Sequence, residues 1–121
     1  MKKIMIYEAG IELNVKPIDC AAMKIIDQAL PIISKVKVWG DEIYFDISID
    51  VPVQSATADV DVGDIAYWPG CQCLCIFFGR TPMSVNDIPV PASEVVILGT
   101  INNLNPAALR TVGPGSSIRV C

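Results

Sequence analysis

Glu42-Ile43-Tyr44-Phe45-Asp46-Ile47-Ser48-Ile49-Asp50-Val51 is the stretch on which the fold turns. Ile43, Phe45, Ile47, Ile49 and Val51 alternate with Tyr44, Asp46, Ser48 and Asp50. Successive side chains of a strand point to opposite faces, so this period of two predicts a strand over 42–51. One side faces a core and the other faces water.

The same period recurs on both sides of it. Lys3 to Tyr7 and Ile11 to Lys16 read as two strands joined at Ala9-Gly10, a first hairpin. Further strands are predicted over Ser34 to Trp39, Asp64 to Trp68, Cys73 to Phe78, Glu94 to Ile101 and Ser117 to Val120. Joints such as Trp68-Pro69-Gly70 and Val112-Gly113-Pro114-Gly115 separate them. One segment breaks the rhythm. Ile18, Ala22, Ile25, Ile26, Ala29 and Leu30 make a helical stripe, with Pro17 suited to the first turn and Asp19 offering a capping carboxylate. The Leu30-Pro31 step disfavours further helix. Asn105 to Leu109 has room for a single helical turn. The expected fold class is therefore mainly β. It is a compact, closed or nearly closed barrel of about eight strands with one main helix over about 18–30, filling a single domain over 1–121.

Composition narrows the chemistry. Hydrophobic residues are 52% of the chain and charged residues 18%, a balance that folds into a globule and not a disordered tail. The net charge of -4 argues against a nucleic-acid partner. Histidine is absent, which excludes a Ser-His-Asp triad, a Cys-His dyad, an HExxH metal site and an imidazole proton shuttle. The opening Met1 to Glu8 has two lysines, but its apolar run stops at Glu8, short of a secretion signal. No stretch has the ~18 apolar residues of a membrane helix. A cytoplasmic protein with reduced thiols is the expectation, and no membrane partner is expected.

Three groups of residues invite a chemical reading. Cys71-Gln72-Cys73-Leu74-Cys75 looks metal-like. On a strand, however, Cys73 and Cys75 sit roughly 6.6 Å apart. Two thiolates on one zinc must lie within about 3.8 Å of each other. With no histidine and no second CxxC, these cysteines read as small packing residues, and no metal or cofactor is predicted. Asp59-Val60-Asp61-Val62-Gly63-Asp64 departs from an EF-hand loop in the place of its glycine and the lack of a closing Glu, so it reads as a turn. Between Lys37 and Arg80 no lysine or arginine occurs, while seven acidic residues do, which gives an acidic surface.

The third group is aromatic: Trp39 with Tyr44 and Phe45, then Tyr67-Trp68 with Phe77-Phe78. Neighbours on a strand cannot both point inward, so part of this surface lies outside the barrel core. The predicted ligand-binding groove uses Tyr44, Tyr67, Trp68 and Phe78, with Arg80 and Thr81 as polar anchors at its mouth. Its expected occupant is a small molecule or a peptide, held without catalysis. A homo-oligomer that buries these aromatics is the structural rival.

Trp39-Gly40-Asp41-Glu42-Ile43-Tyr44-Phe45, Gly63 to Gly70, Leu74 to Ser84, Pro91-Ala92-Ser93 and the Val96 to Ile101 strand together resemble a small bacterial and archaeal family of unassigned function with a cyclophilin-like fold. The resemblance runs through essentially the whole chain and implies a compact barrel of about eight strands. Cyclophilins proper are peptidyl-prolyl isomerases with a Phe-His-Arg signature, and an isomerase with an altered site is the enzymatic rival. This chain has no such triplet; Arg80 follows Phe77-Phe78-Gly79 instead.

Overall fold

The computed structural model describes residues 1–121 as one nine-stranded antiparallel sheet curled into a nearly closed barrel, with two helices. In chain order the strands are β1 (Lys3–Ile6), β2 (Ile11–Pro17), β3 (Ile32–Lys35), β4 (Lys37–Val38), β5 (Glu42–Asp46), β6 (Asp64–Trp68), β7 (Cys73–Phe77), β8 (Val96–Ile101) and β9 (Ser117–Val120). The helices are α1 (Ala21–Asp27) and α2 (Pro106–Leu109). Strands pair in the order β3-β9-β1-β2-β8-β6-β7-β5-β4. The two edge strands, β3 and β4, are separated in sequence by Val36 alone. A sheet whose first and last strands are one residue apart in the chain has to curl round on itself. The Ser34 hydroxyl donates to the Asp46 carbonyl at 2.7 Å, tying β3 to the end of β5 across the seam. Closure of this kind hides edges that would otherwise template aggregation.

Ile4, Ile6, Leu13, Ile26, Ile43, Phe45, Ile65, Leu74, Ile76, Phe78, Leu98 and Ile118 fill the barrel. A second, smaller core lies on the outside of the sheet: Val60, Ala66, Cys75, Phe77 and Val95, with Tyr44, Trp68 and Ile97 packed against it. Strict alternation along β7 sends Leu74 and Ile76 inward and Cys75 and Phe77 outward. All five residues of β7 are buried because both faces of that strand are covered.

Two predicted elements are about half the length of their patterns, and the strand expected over Ser34 to Trp39 is split at Val36 between β3 and β4, the two edges of the sheet. The strand expected over 42–51 ends at Asp46. Ser48 has φ +54, and the Asp46 carboxylate accepts its N–H at 2.7 Å, a side-chain turn that competes with the ladder. Ile47 and Val51 stay buried nevertheless, so their alternation reports burial and not strand. The helix expected over about 18–30 occupies only Ala21–Asp27. Pro17 ends β2 opposite Gly99, and the Ile18 N–H still donates to the Leu98 carbonyl at 2.8 Å, so sheet pairing holds these residues. Cys20 is the N-cap and makes no side-chain cap bond; Asp19 caps nothing. Asn105 does cap α2, accepting from the Ala108 N–H at 3.2 Å. No helix is long and apolar enough to cross a membrane.

Tyr67 points inward, and its hydroxyl donates to the Ile49 carbonyl at 2.7 Å. That bond fastens the irregular segment after β5 to the barrel. Tyr67→Phe leaves the carbonyl unpaired and is expected to lower stability by about 1–2 kcal/mol in urea unfolding. Unchanged stability would mean that the segment holds itself.

Candidate functional site

The turn Trp39-Gly40-Asp41-Glu42 joins β4 to β5. Trp39 and Glu42 exchange backbone bonds at 2.9 and 3.1 Å. Gly40 has φ +60, and a Cβ there would lie 2.9 Å from the Arg80 carbonyl oxygen, so both conformation and space require glycine. The Asp41 N–H donates to that same carbonyl at 2.8 Å, and the Phe78 N–H donates to the Asp41 carbonyl at 2.9 Å. Outside the turn, the Arg110 guanidinium grips the Asp41 carboxylate through Nε and a terminal nitrogen at 3.0–3.3 Å. The turn is thus clamped from two sides, which fixes the side chains at its ends.

From there the register places the outer face. Glu42 lies opposite Phe77, Tyr44 opposite Cys75, and Trp68 opposite Cys73. The Tyr44 and Trp68 rings meet edge-to-face, with centroids 6.0 Å apart and an interplanar angle of 61°. With Trp39, Glu42 and Ala92 they line a cavity of about 180 Å³. Three of its lining residues carry half-buried aromatic rings, and a fourth, Glu42, carries a buried carboxyl group. Glu42 is only 3% exposed, and its Oε1 has no hydrogen-bond partner. Burial pushes its pKa up to about 7, against a small opposing pull from the Cys75 thiol. Cys75 is itself pushed well above the ordinary thiol range, first by burial and then by the Glu42 charge. An orphaned polar atom on a residue lining an aromatic cavity is the feature of this surface most in need of a partner.

The other cavity, about 250 Å³, lies between the start of α1 and the 52–55 segment, against Val96 and Ile97. Its lining carries no carboxylate, lysine or arginine.

Of the residues predicted to form the groove, Tyr44 and Trp68 line the cavity together. The others do not line it. Tyr67 is held in the barrel, and Phe78 belongs to the inner core. Thr81 is buried, its hydroxyl donating to the Val90 carbonyl at 2.6 Å and its N–H to the Ser84 hydroxyl at 3.0 Å; it builds a loop. Arg80 is exposed, and its carbonyl serves the Gly40 turn. Three lining residues escaped the sequence reading as site members: Trp39, Glu42 and Ala92. The parity of Glu42 with Tyr44, two positions apart beside Trp39, was the available signal.

The cysteines depart from the reduced-thiol expectation. The loop after β6 turns back, with Gln72 at φ +53, and brings Cys71 within 5.2 Å of Cys73 between Cα atoms, where they form a disulfide. Cys20, Cys75 and Cys121 are free. Asp64 accepts the Asp61 N–H at 2.8 Å, closing the acidic segment into a turn. No three His, Cys, Asp or Glu side chains are gathered as a metal site.

Residues 2–121 match the profile of the family described as Cyclophilin-like. No functionally curated protein matches the chain. The solution structure of a hypothetical protein from Archaeoglobus fulgidus is similar: 35% identical, over 97% of this chain and 89% of that one, with a TM-score of 0.75. The nine-stranded barrel and the match over its whole length agree, and the chain belongs to the cyclophilin-like family.

Proposed function

We propose that this barrel is a binding protein that holds a small molecule, or one side chain of a peptide, in the flank cavity of Trp39, Glu42, Tyr44, Trp68 and Ala92, without converting it. The observation that carries this reading is the Tyr44–Trp68 pair. Two large rings stand half-buried and edge-to-face beside concave space on the outer sheet face. Aromatic walls with one convergent polar group are the usual lining of a ligand site. The size sets the scale of the ligand: about 180 Å³ is below the ~300–1,000 Å³ of drug-sized sites, so a few heavy atoms fill it. The lining offers two ionisable groups, the Glu42 carboxyl and the Tyr44 phenol, and no accessible thiol, since Cys75 is buried beneath it. That supports binding over turnover.

Both tryptophans of the chain line this cavity, so intrinsic fluorescence is a site-specific reporter. A panel of small amines, alcohols and amides is expected to yield ligands that change it. Trp68→Ala is expected to weaken them at least ~10-fold by removing one wall. Ligands that bind equally well to Trp68→Ala, or that shift only residues around Ile18 and Ala22, would move the site to the other cavity.

A further inference from the structure

The cavity holds a second piece of information, the sign of the charge it is built to meet. Glu42 is an acidic group in the lining of that cavity, only 3% exposed, with Oε1 unpaired. A carboxylate buried in a low-dielectric site is best stabilised by an opposite charge brought close to it, because Coulomb attraction grows as the dielectric falls. The remaining walls favour the same sign. Trp39, Tyr44 and Trp68 present π-electron density, which attracts an ammonium group within about 6 Å of a ring. The Tyr44 ring already draws a cation from outside: Lys37 Nζ on β4 lies 5.9 Å from its centroid, yet makes no ion pair with Glu42. Around the site, the sequence from Val38 to Gly79 contains no lysine or arginine and has seven acidic residues, a field that repels anions.

Resting on the reading of this cavity as a ligand site, we infer that its ligand is a small organic ammonium, caged by Trp39, Tyr44 and Trp68 with the Glu42 carboxylate as counter-ion. The groups facing Glu42 are few. The Cys75 thiol comes from β7, the Tyr44 phenol from its own strand, and the Lys37 ammonium lies beyond that phenol on β4. Asp41, the next residue along, is turned to Arg110. Binding an ammonium therefore expels the proton that Glu42 carries at mildly acidic pH. Affinity for a cation should rise about tenfold per pH unit up to neutrality and level off above it.

Three probes of one shape test this: choline, its uncharged isostere 3,3-dimethylbutan-1-ol, and the anion 3,3-dimethylbutanoate. They are titrated into wild type and Glu42→Gln, read by the two indole N–H resonances. Choline is expected to bind best, with the stated pH dependence, and to lose roughly 100-fold in Glu42→Gln. The alcohol should bind weakly and change less than about threefold. If the alcohol or the anion binds as well as choline, or choline ignores both pH and Glu42→Gln, the charge assignment is wrong while the cavity remains a ligand site. If none of the three moves either indole resonance, the ligand site itself is overturned along with it.

Discussion

Glu42→Gln is expected to be more stable than wild type above neutrality by about 3 kcal/mol, and nearly equal to it in acid. The carboxyl has a pKa of about 7 in the fold against 4.5 in the unfolded chain. Below pH 4.5 both states carry the proton, and Glu42 contributes no pH dependence. Between 4.5 and 7 the folded protein keeps a proton that the unfolded chain has released, so stability falls as pH rises. Above 7 the full difference of about 2.5 units is felt, which is about 3 kcal/mol at ~1.4 kcal/mol per unit. Glutamine has the same shape and no proton to lose. Thermal melts at pH 4, 6 and 8 should show the variant pulling away from wild type as pH rises, to on the order of 10 °C at pH 8. Asp64 is also raised by burial, and the Cys75 thiol and Tyr67 phenol titrate at higher pH. Asp64 and Tyr67 are common to both proteins, and their effects largely cancel in the difference. Melting curves that stay parallel across this range would show that Glu42 is solvated or paired. The cavity would then lose its counter-ion.

A stability defect repaired by a single isosteric change is what a functional group looks like in energetic terms. A purely structural position has no reason to keep a carboxylate that destabilises the fold at neutral pH, when glutamine or methionine fits the same volume. Strain of this kind collects where a site must be ready for its ligand. An ammonium would remove it by supplying the missing charge, so ligand and fold are coupled. Bound protein should melt higher than free protein, and more so at pH 8 than at pH 5.

The site was half legible because its aromatic half is local and its acidic half is not. Adjacent Tyr67 and Trp68 cannot share a face, and that rule puts one of them outside the barrel; the structure sends Trp68 outward to line the cavity and Tyr67 inward. Glu42, by contrast, has the parity of Asp46 and Asp50 along its segment. Its local context offers only its parity with Tyr44 beside Trp39, which does not say that the carboxylate is covered. Beyond Trp39 in its own turn, its cover comes from Trp68 on β6 and Ala92 in a distant loop, both far away in sequence. The groove residues that face elsewhere have the same explanation. Phe78 continues the inward parity of Leu74 and Ile76, and Thr81 is drawn into its own loop's hydrogen bonds. The fold was more open to reading than the site. Hydrophobic alternation placed β6 and β9 at their observed bounds and the first hairpin within a residue. The main helix was overdrawn because Pro17 suits a helix start and a strand end equally well; only pairing with Gly99 decides between them.

Phe77→Ala is expected to be among the most destabilising single substitutions on the outer face, by about 3–5 kcal/mol. A barrel with a wet exterior would barely notice the loss of an outward side chain. Here the outer face carries its own core, with Phe77 fully buried among Val60, Ala66, Cys75 and Val95. Removing the ring leaves a void under a segment pinned by Thr57 and Val95, which bond each other at 2.8 and 2.9 Å and restrict its collapse. Out of a total stability of about 5–15 kcal/mol, that is a large share. The milder Phe77→Leu should cost roughly 1 kcal/mol and serves if the alanine variant does not fold. Phe77 is also the cross-strand partner of Glu42. Water admitted at position 77 reaches the carboxyl, lowers its pKa toward 4.5 and shrinks the loss of stability between pH 4 and pH 8. Urea unfolding of the two variants at both pH values measures the two effects together. A cost below about 1 kcal/mol for Phe77→Ala would mean the outer core is only a loose cover. An undiminished pH dependence would mean that burial by this core is not what raises Glu42.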